Sequence, residues 1–304
     1  MKPVLLGLSK KTLKKQQMRY FNFLVLMTLS IVCSNCETNI DASDLLDQQQ
    51  LVVINGYLSP QDTLLKVQIS KSKSRADSRE TTIEDLAIKN AIVVIKDEND
   101  NEVSLTYSSV SFSYEAPAND LPILAGNTYF LTAMVDGNEY KSSCMIPVNK
   151  VQNIESDIKD EPGGGEFGRR ILNLKIEDIK DERNFYITGG TITHNFIDDG
   201  ISVRDLDFDF EHFATDSNRE NAIIALEGFF TILSNPVSET PKINLKITNN
   251  EQILYDALRA DFFNDYNDGD PFFEPIIAPT NIEGENGFGV FAGYQITEIE
   301  IDAM

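Results

Sequence analysis

The chain has 304 residues, of which 48 are acidic and 26 basic, giving a net charge of −22. A field of that sign repels phosphate backbones and anionic headgroups, which excludes nucleic acid as a partner. It leaves room for a cationic ligand or for a plainly solvated acidic surface, and the length allows one or two domains.

Residues 21–32 read FNFLVLMTLSIV. A bilayer core of roughly 30 Å needs about 20 helical residues, so this run is too short to span comfortably. It has the length of a signal-peptide core, with Lys14, Lys15 and Arg19 as its basic flank; a start at Met18 gives a complete leader as well as a start at Met1. No A-x-A-like cleavage site follows, only Cys33-Ser34-Asn35-Cys36. This end resembles a bacterial lipoprotein signal, and Cys36, preceded by Ser34 and Asn35, fits the lipidated position better than Cys33, although Asn35 departs from the strict pattern. Residues 1–36 are therefore predicted to be a signal peptide with the lipoprotein cysteine at its end; simple secretion and an uncleaved anchor are the alternatives. A redox pair is excluded, because such a C-x-x-C opens a helix in a βαβ context. Six of the 26 basic residues and none of the 48 acidic ones precede Cys36, leaving 20 against 48, or −28, in the mature chain. Cys144 is then the single remaining thiol, so no disulfide framework is expected.

Residues 37–50 are polar and acidic and read as a tether. From Leu51 the pattern has period two. Seven short runs rich in β-branched and aromatic residues follow, separated by turn signals such as Ser59-Pro60 and Asp136-Gly137. This predicts an immunoglobulin-like or fibronectin-like sandwich over residues 51–148, with residues 70–85 as a long exposed loop. Alternation along YKSSCMIP puts Tyr140, Ser142, Cys144 and Ile146 on one side of a strand, so Cys144 is predicted to be a small buried apolar residue. Pro147 closes the domain.

Residues 149–304 read as a second β-rich domain. Gly163, Gly165 and Gly168 satisfy G-x-G-x-x-G, but a strand-like run follows them and Glu161 and Glu166 flank them, so a hairpin tip is predicted instead of a dinucleotide site. Four more strand-like runs lie between residues 184 and 248. One helix is predicted over about 249–264, from the capping-box spacing of Thr248 and Glu251 and the stripe of Ile253, Leu254, Ala257, Leu258 and Phe262. The fold class is mainly β: a sandwich followed by a β-rich domain with one packed helix.

The opening LVVINGYLSPQDTLLKVQISKS and the tail LYDALRADFF…PFFEPIIAPTNIEGENGFGVFAGY are similar to the domain-of-unknown-function family 4249, exported lipoproteins of Bacteroidota. In the tail Pro279, Asn281, Ile282, Gly287, Gly289, Val290, Phe291 and Gly293 match the family's terminal pattern. The likeness covers about residues 36–300. It implies a two-part β-rich lipoprotein with no established activity, encoded near TonB-dependent outer-membrane transporters. Read from the residues themselves, the glycines of NGFGVF permit tight turns while Val290 and Phe291 close a core.

Candidate chemistry is sparse. In RDLDFDFEHF an extended strand puts Asp205, Asp207, Asp209 and Glu211 on one face, a possible but weak Ca²⁺ site, since hard oxygen ligands suit calcium but the set lacks a converging turn. In NDYNDGDPFFE, aligning Gly269 with an EF-hand glycine puts Tyr266 and Pro275 at ligand positions, so that motif fails. With two histidines, His194 and His212, and no G-x-S-x-G, H-E-x-x-H or P-loop, no enzyme and no cofactor other than Ca²⁺ is expected. The expectation is a lipid-anchored outer-membrane protein, a non-enzymatic binding or accessory subunit beside a TonB-dependent transporter. A cation-dependent glycan or peptide binder and a cryptic hydrolase are the alternatives. Asp41, Asp44 and Asp47 point toward the cell surface, with the periplasmic side as the other possibility.

Overall fold

The computed structural model describes residues 50–73, 81–162, 168–208, 212–216, 223–233, 237–270 and 272–303. The expected leader, Cys36 and the tether up to residue 49 lie outside these, as do residues 163–167 of the predicted hairpin tip. Period-two alternation builds seven strands: β1 (Val52–Leu58), β2 (Leu64–Lys71), β3 (Ile92–Asp97), β4 (Glu102–Ser108), β5 (Ser113–Pro117), β6 (Thr128–Val135) and β7 (Asn138–Met145). In β2, Leu65, Val67 and Ile69 are buried while Leu64 and Lys66 face solvent, as successive side chains of a strand must. Each such inward Leu or Ile stabilises the fold by about 1.5–3 kcal/mol.

The strands run β1-β2-β5-β4-β3-β6-β7. This is the order of a seven-strand immunoglobulin-type sandwich, one layer holding the first, second, fifth and fourth strands and the other the third, sixth and seventh. The layers are joined along β4, whose Glu102 and Leu105 pair with β3 while Thr106 and Ser108 pair with β5. Tyr129, second residue of β6, donates its hydroxyl to Pro122 O at 3.0 Å and accepts from Leu124 N at 2.8 Å. That backward hydrogen bond is the tyrosine corner of such sandwiches. Asp136 and Gly137 both have positive φ and close the two-residue β6–β7 hairpin. The predicted loop over 70–85 is shorter than expected. Ser70 and Lys71 continue β2, and Thr82 and Asp85 form a reciprocal capping box on a one-turn helix, α1 (Ile83–Leu86).

The second half contains a three-stranded sheet, β8 (Ile154–Asp160), β9 (Arg169–Glu177) and β13 (Ile223–Thr231), in the order β13-β9-β8. Over it lie β10 (Phe185–Phe196), β11 (Gly200–Asp205), β12 (Phe213–Thr215), β14 (Lys242–Asn250) and β16 (Phe291–Asp302), while the short β15 (Gly287–Phe288) pairs with β1. Leu172, Leu174 and Ile176 of β9 share a core with Ile192, Ile243 and Leu245 from the other sheet. The run RDLDFDFEHF is not one strand. Leu206 N still donates to Gly190 O of β10 at 2.9 Å, but the next residue, Asp207, exchanges both backbone hydrogen bonds with Phe229 of β13.

The last long strand links the halves. Phe291, Ala292 and Gly293 of β16 lie parallel to Gly56, Tyr57 and Leu58, and Tyr294 to Asp302 lie antiparallel to β14. Ile282 and Phe291 accordingly sit in the core of the first sandwich, far from where the sequence places them. The helix, α2 (Gln252–Tyr266), starts after β14 and not at Asn249. Thr248 is a strand residue that donates to Ile187 O at 3.3 Å, and the N-cap residue Glu251 makes no side-chain capping bond, whereas at the other end the Asn267 amide donates to Phe263 O at 2.7 Å. Leu254 packs on Val290 and Ala292, with Ile253, Ala257 and Leu258 around it, and Tyr255 and Phe262 face Phe213 at 5.6 Å each. Among the described residues no helix is long and apolar enough to cross a membrane.

Candidate functional site

Where β16 passes from one half to the other, a cleft of about 370 Å³ opens between the β1–β2 turn and the faces of β14 and β16. The turn is locked from within. Ser59 N donates to Asp62 Oδ2 at 2.8 Å, Asp62 N donates to Ser59 O at 3.1 Å, and Ser59 Oγ donates to Gln61 Oε1 at 2.7 Å. Three contacts fasten it to β16: Tyr294 donates its hydroxyl to Asp62 Oδ1 at 2.8 Å, Ile296 N donates to Gln61 Oε1 at 3.1 Å, and Gln61 Nε2 donates to Gln295 Oε1 at 3.5 Å. Behind them the Gln295 amide donates to Pro147 O and Val148 O at 2.6 and 2.8 Å, holding the connection between the halves. Lys150 on that connection, and Lys246 paired with Glu298 at 2.9 Å, line the rest.

Burial raises the Asp62 carboxyl above its usual range, opposed by the Tyr294 hydroxyl and the Ser59 amide. Burial and the neighbouring Asp62 push the Tyr294 phenol upward. Burial thus disfavours the charged form of both groups, and the hydrogen bond from the neutral phenol to Asp62 offsets part of that cost for the carboxylate. The cleft offers ammonium groups and carboxylate oxygens around one phenol, which suits a small polar or ionic ligand and not an apolar one.

The acidic residues singled out in the sequence are placed differently. Asp205 and Asp207 are exposed and line a second hollow, of about 260 Å³, together with Arg169 and Arg204. Guanidinium groups there supply positive charge that a cation would otherwise bring. Asp209 and Glu211 lie outside the described residues, and among the described residues no group of three or more acidic, histidine or cysteine side chains is gathered as a metal would need. Cys144 is buried, as are its strand companions Tyr140, Ser142 and Ile146. Burial drives its thiol upward, the opposite of nucleophile activation. His194 is buried in the second half against Phe196, with burial lowering its pKa, and His212 Nδ1 lies 2.9 Å from Thr188 O. His194 stacks on Phe196, and His212 packs against Phe208, Phe213 and Phe262, all of them residues of the second half.

Asp62, Tyr294 and Lys150 were not selected by sequence reasoning. The turn signal Ser59-Pro60 marked the loop, but nothing local showed that Asp62 meets a tyrosine 232 residues away.

Fold and cleft define a mainly β protein of sandwich type, with two cored halves, one packed helix and a polar cleft at their junction. The chain belongs to the family described as "Domain of unknown function (DUF4249)", whose pattern matches residues 36–300. No curated protein matches. Among solved structures, a DUF4785-family protein of Legionella pneumophila subsp. pneumophila str. Philadelphia 1 is similar at 10% identity and a TM-score of 0.22. It covers 64% of this chain, and this chain spans about half (52%) of its length. A likeness of that size carries no argument for function.

Proposed function

We propose that this protein is a lipid-anchored, non-enzymatic binding subunit of the outer membrane that works beside a TonB-dependent transporter. The observation that carries the reading is the short apolar run at 21–32 ending at Cys36 and followed by an acidic stretch. The body behind this leader supports a binding role. Its one mature thiol is buried and its two histidines are packed among aromatic rings, while a polar cleft stands open where the halves join.

Mass spectrometry of the protein isolated from host membranes tests the anchor. The expected product begins at an acylated Cys36, and Cys36→Ser moves the protein out of the membrane fraction. An intact leader, or an unacylated mature N-terminus, overturns the location. Purification in mild detergent tests the role: a transporter subunit is expected to accompany the wild type, and its absence removes the accessory assignment.

A further inference from the structure

Between α2 and β15 the chain from Phe272 to Asn281 forms no regular element, yet Phe272 N donates to Asp270 Oδ1 at 2.9 Å and two side-chain amides hold the rest, one at Ile276 and one at Asn281. Asn264 of α2 accepts from Ile276 N at 2.8 Å and donates to Ile276 O at 2.9 Å. Asn281 accepts from Phe291 N at 3.0 Å and donates to Phe291 O at 2.7 Å. Each side-chain amide imitates a neighbouring strand and satisfies both backbone groups of one residue. Just beyond, Glu283 exchanges backbone hydrogen bonds with Lys141, fixing the strap to the edge of β7.

On this fixed backbone the side chains point outward. Phe272 is 94% and Ile277 91% exposed, with Ile276 partly exposed beside them. A free chain with such side chains would fold them inward; here clamped backbone holds them in water, and the ordering cost of presenting them is already met. The charge along this stretch of the chain has one sign. Asp268, Asp270 and Glu274 flank the apolar tips, and no Lys, Arg or His occurs anywhere after Arg259. An anionic bilayer is repelled by that rim, whereas a protein surface with an apolar hollow ringed by lysine and arginine complements it.

We infer that the Phe272–Ile277 strap is a docking surface for a partner protein whose contact patch is apolar at the centre and basic at the rim. This deepens the accessory-subunit reading by naming the surface and the partner chemistry, and it is independent of how the chain is anchored.

The test places a photoreactive phenylalanine analogue at Ile277, and separately at Phe272, in the full chain in its own host. Val110, which is 90% exposed in the first sandwich, serves as the control position. The expected result is one protein adduct from both strap positions and not from Val110, with the linked peptide in an apolar patch flanked by Lys or Arg. Asp270→Lys with Glu274→Lys should lower its yield about tenfold, the scale of electrostatic steering between opposite charges. No adduct, an adduct to lipid alone, binding of the purified protein to phosphatidylcholine vesicles through these positions, or a yield indifferent to charge reversal overturns the inference. If the strap positions are silent while a transporter still accompanies the wild type from membranes, the strap assignment fails and the accessory role stands.

Discussion

The carboxylate of Glu251 accepts the backbone N–H of Gly293 at 2.6 Å and that of Met145 at 3.0 Å. One side chain at the start of α2 thereby ties the end of β7 to the residue at which β16 changes partners. The approach is close: a Cβ on Gly293 would lie 2.6 Å from Met145 O, so glycine is required there. Hydrogen bonds to a charged acceptor are each worth about 1.5–3 kcal/mol, and loss of this carboxylate leaves the part-buried Gly293 amide without its partner while the Met145 amide turns to water. Glu251→Ala is expected to destabilise the fold by about 3 kcal/mol in urea unfolding. Glu251→Gln, which keeps one acceptor, should cost about half as much. A change below about 0.5 kcal/mol for the alanine variant would show that water replaces the carboxylate without loss.

The same group makes stability depend on pH. Burial raises the Glu251 carboxyl above its ordinary 4.5, and the two amides only partly oppose this; Asp62 is likewise raised above 3.8, chiefly by burial. A carboxyl whose folded pKa exceeds its unfolded one keeps its full contribution below the unfolded value and loses it as pH rises through the folded value. Asp85, Asp97 and Glu115 are held down by hydrogen bonds and act in the opposite sense below their ordinary values. Comparing variants removes that background. Between pH 4.5 and neutrality the wild type should lose more stability than Glu251→Gln. Parallel curves of unfolding free energy against pH would refute the assignment.

The first sandwich was legible because period two is a local signal: each inward residue of β2 or β7 can be read from its immediate neighbours. The same locality misled over RDLDFDFEHF, where apolar and acidic residues keep alternating through Phe208 although the backbone crosses from one sheet to the other at Asp207. Thr248 and Glu251 have capping-box spacing, but pairing of Thr248 with Ile187 and Ile296 keeps it in a strand. What remained invisible is non-local. No pattern near Phe291 announces parallel pairing with Gly56, and the cleft depends on that pairing. In the glycine-rich tail Val290 and Phe291 are buried, as the sequence predicts of core-closing residues, and Gly289 has φ +109°.

Gly289 offers a sharp contrast with a second glycine of positive φ. A Cβ on Gly289 would lie 2.2 Å from Ile54 O and 2.9 Å from Asn55 Oδ1, the atom that accepts the Val290 N–H. Gly137, φ +89°, has nothing within 4 Å of such an atom. Gly137→Ala should cost only the conformational penalty of about 1–2 kcal/mol. Gly289→Ala adds a backbone clash at the β1–β16 junction and should cost at least about 3 kcal/mol. Denaturant midpoints of the two variants decide it, and equal shifts would mean that the β16 junction yields to admit the methyl group.

Two tyrosines separate the worth of a hydroxyl that is used from one that is not. The Tyr294 hydroxyl donates to Asp62, whereas the buried hydroxyl of Tyr107, in the first sandwich, has no hydrogen-bond partner among the described residues. Removing a buried hydroxyl without a partner relieves a desolvation cost, so Tyr107→Phe should be neutral or stabilising. Tyr294→Phe strips a half-buried carboxylate of one of its two donors and should destabilise by about 1–2 kcal/mol. A double-mutant cycle with Asp62→Ala should then give a coupling of about 1 kcal/mol or more, because each group's cost arises from the other. If the two changes add to within about 0.5 kcal/mol, the bond does not hold the β1–β2 turn against β16, and the Gln61 contacts with Gln295 and Ile296 carry that attachment.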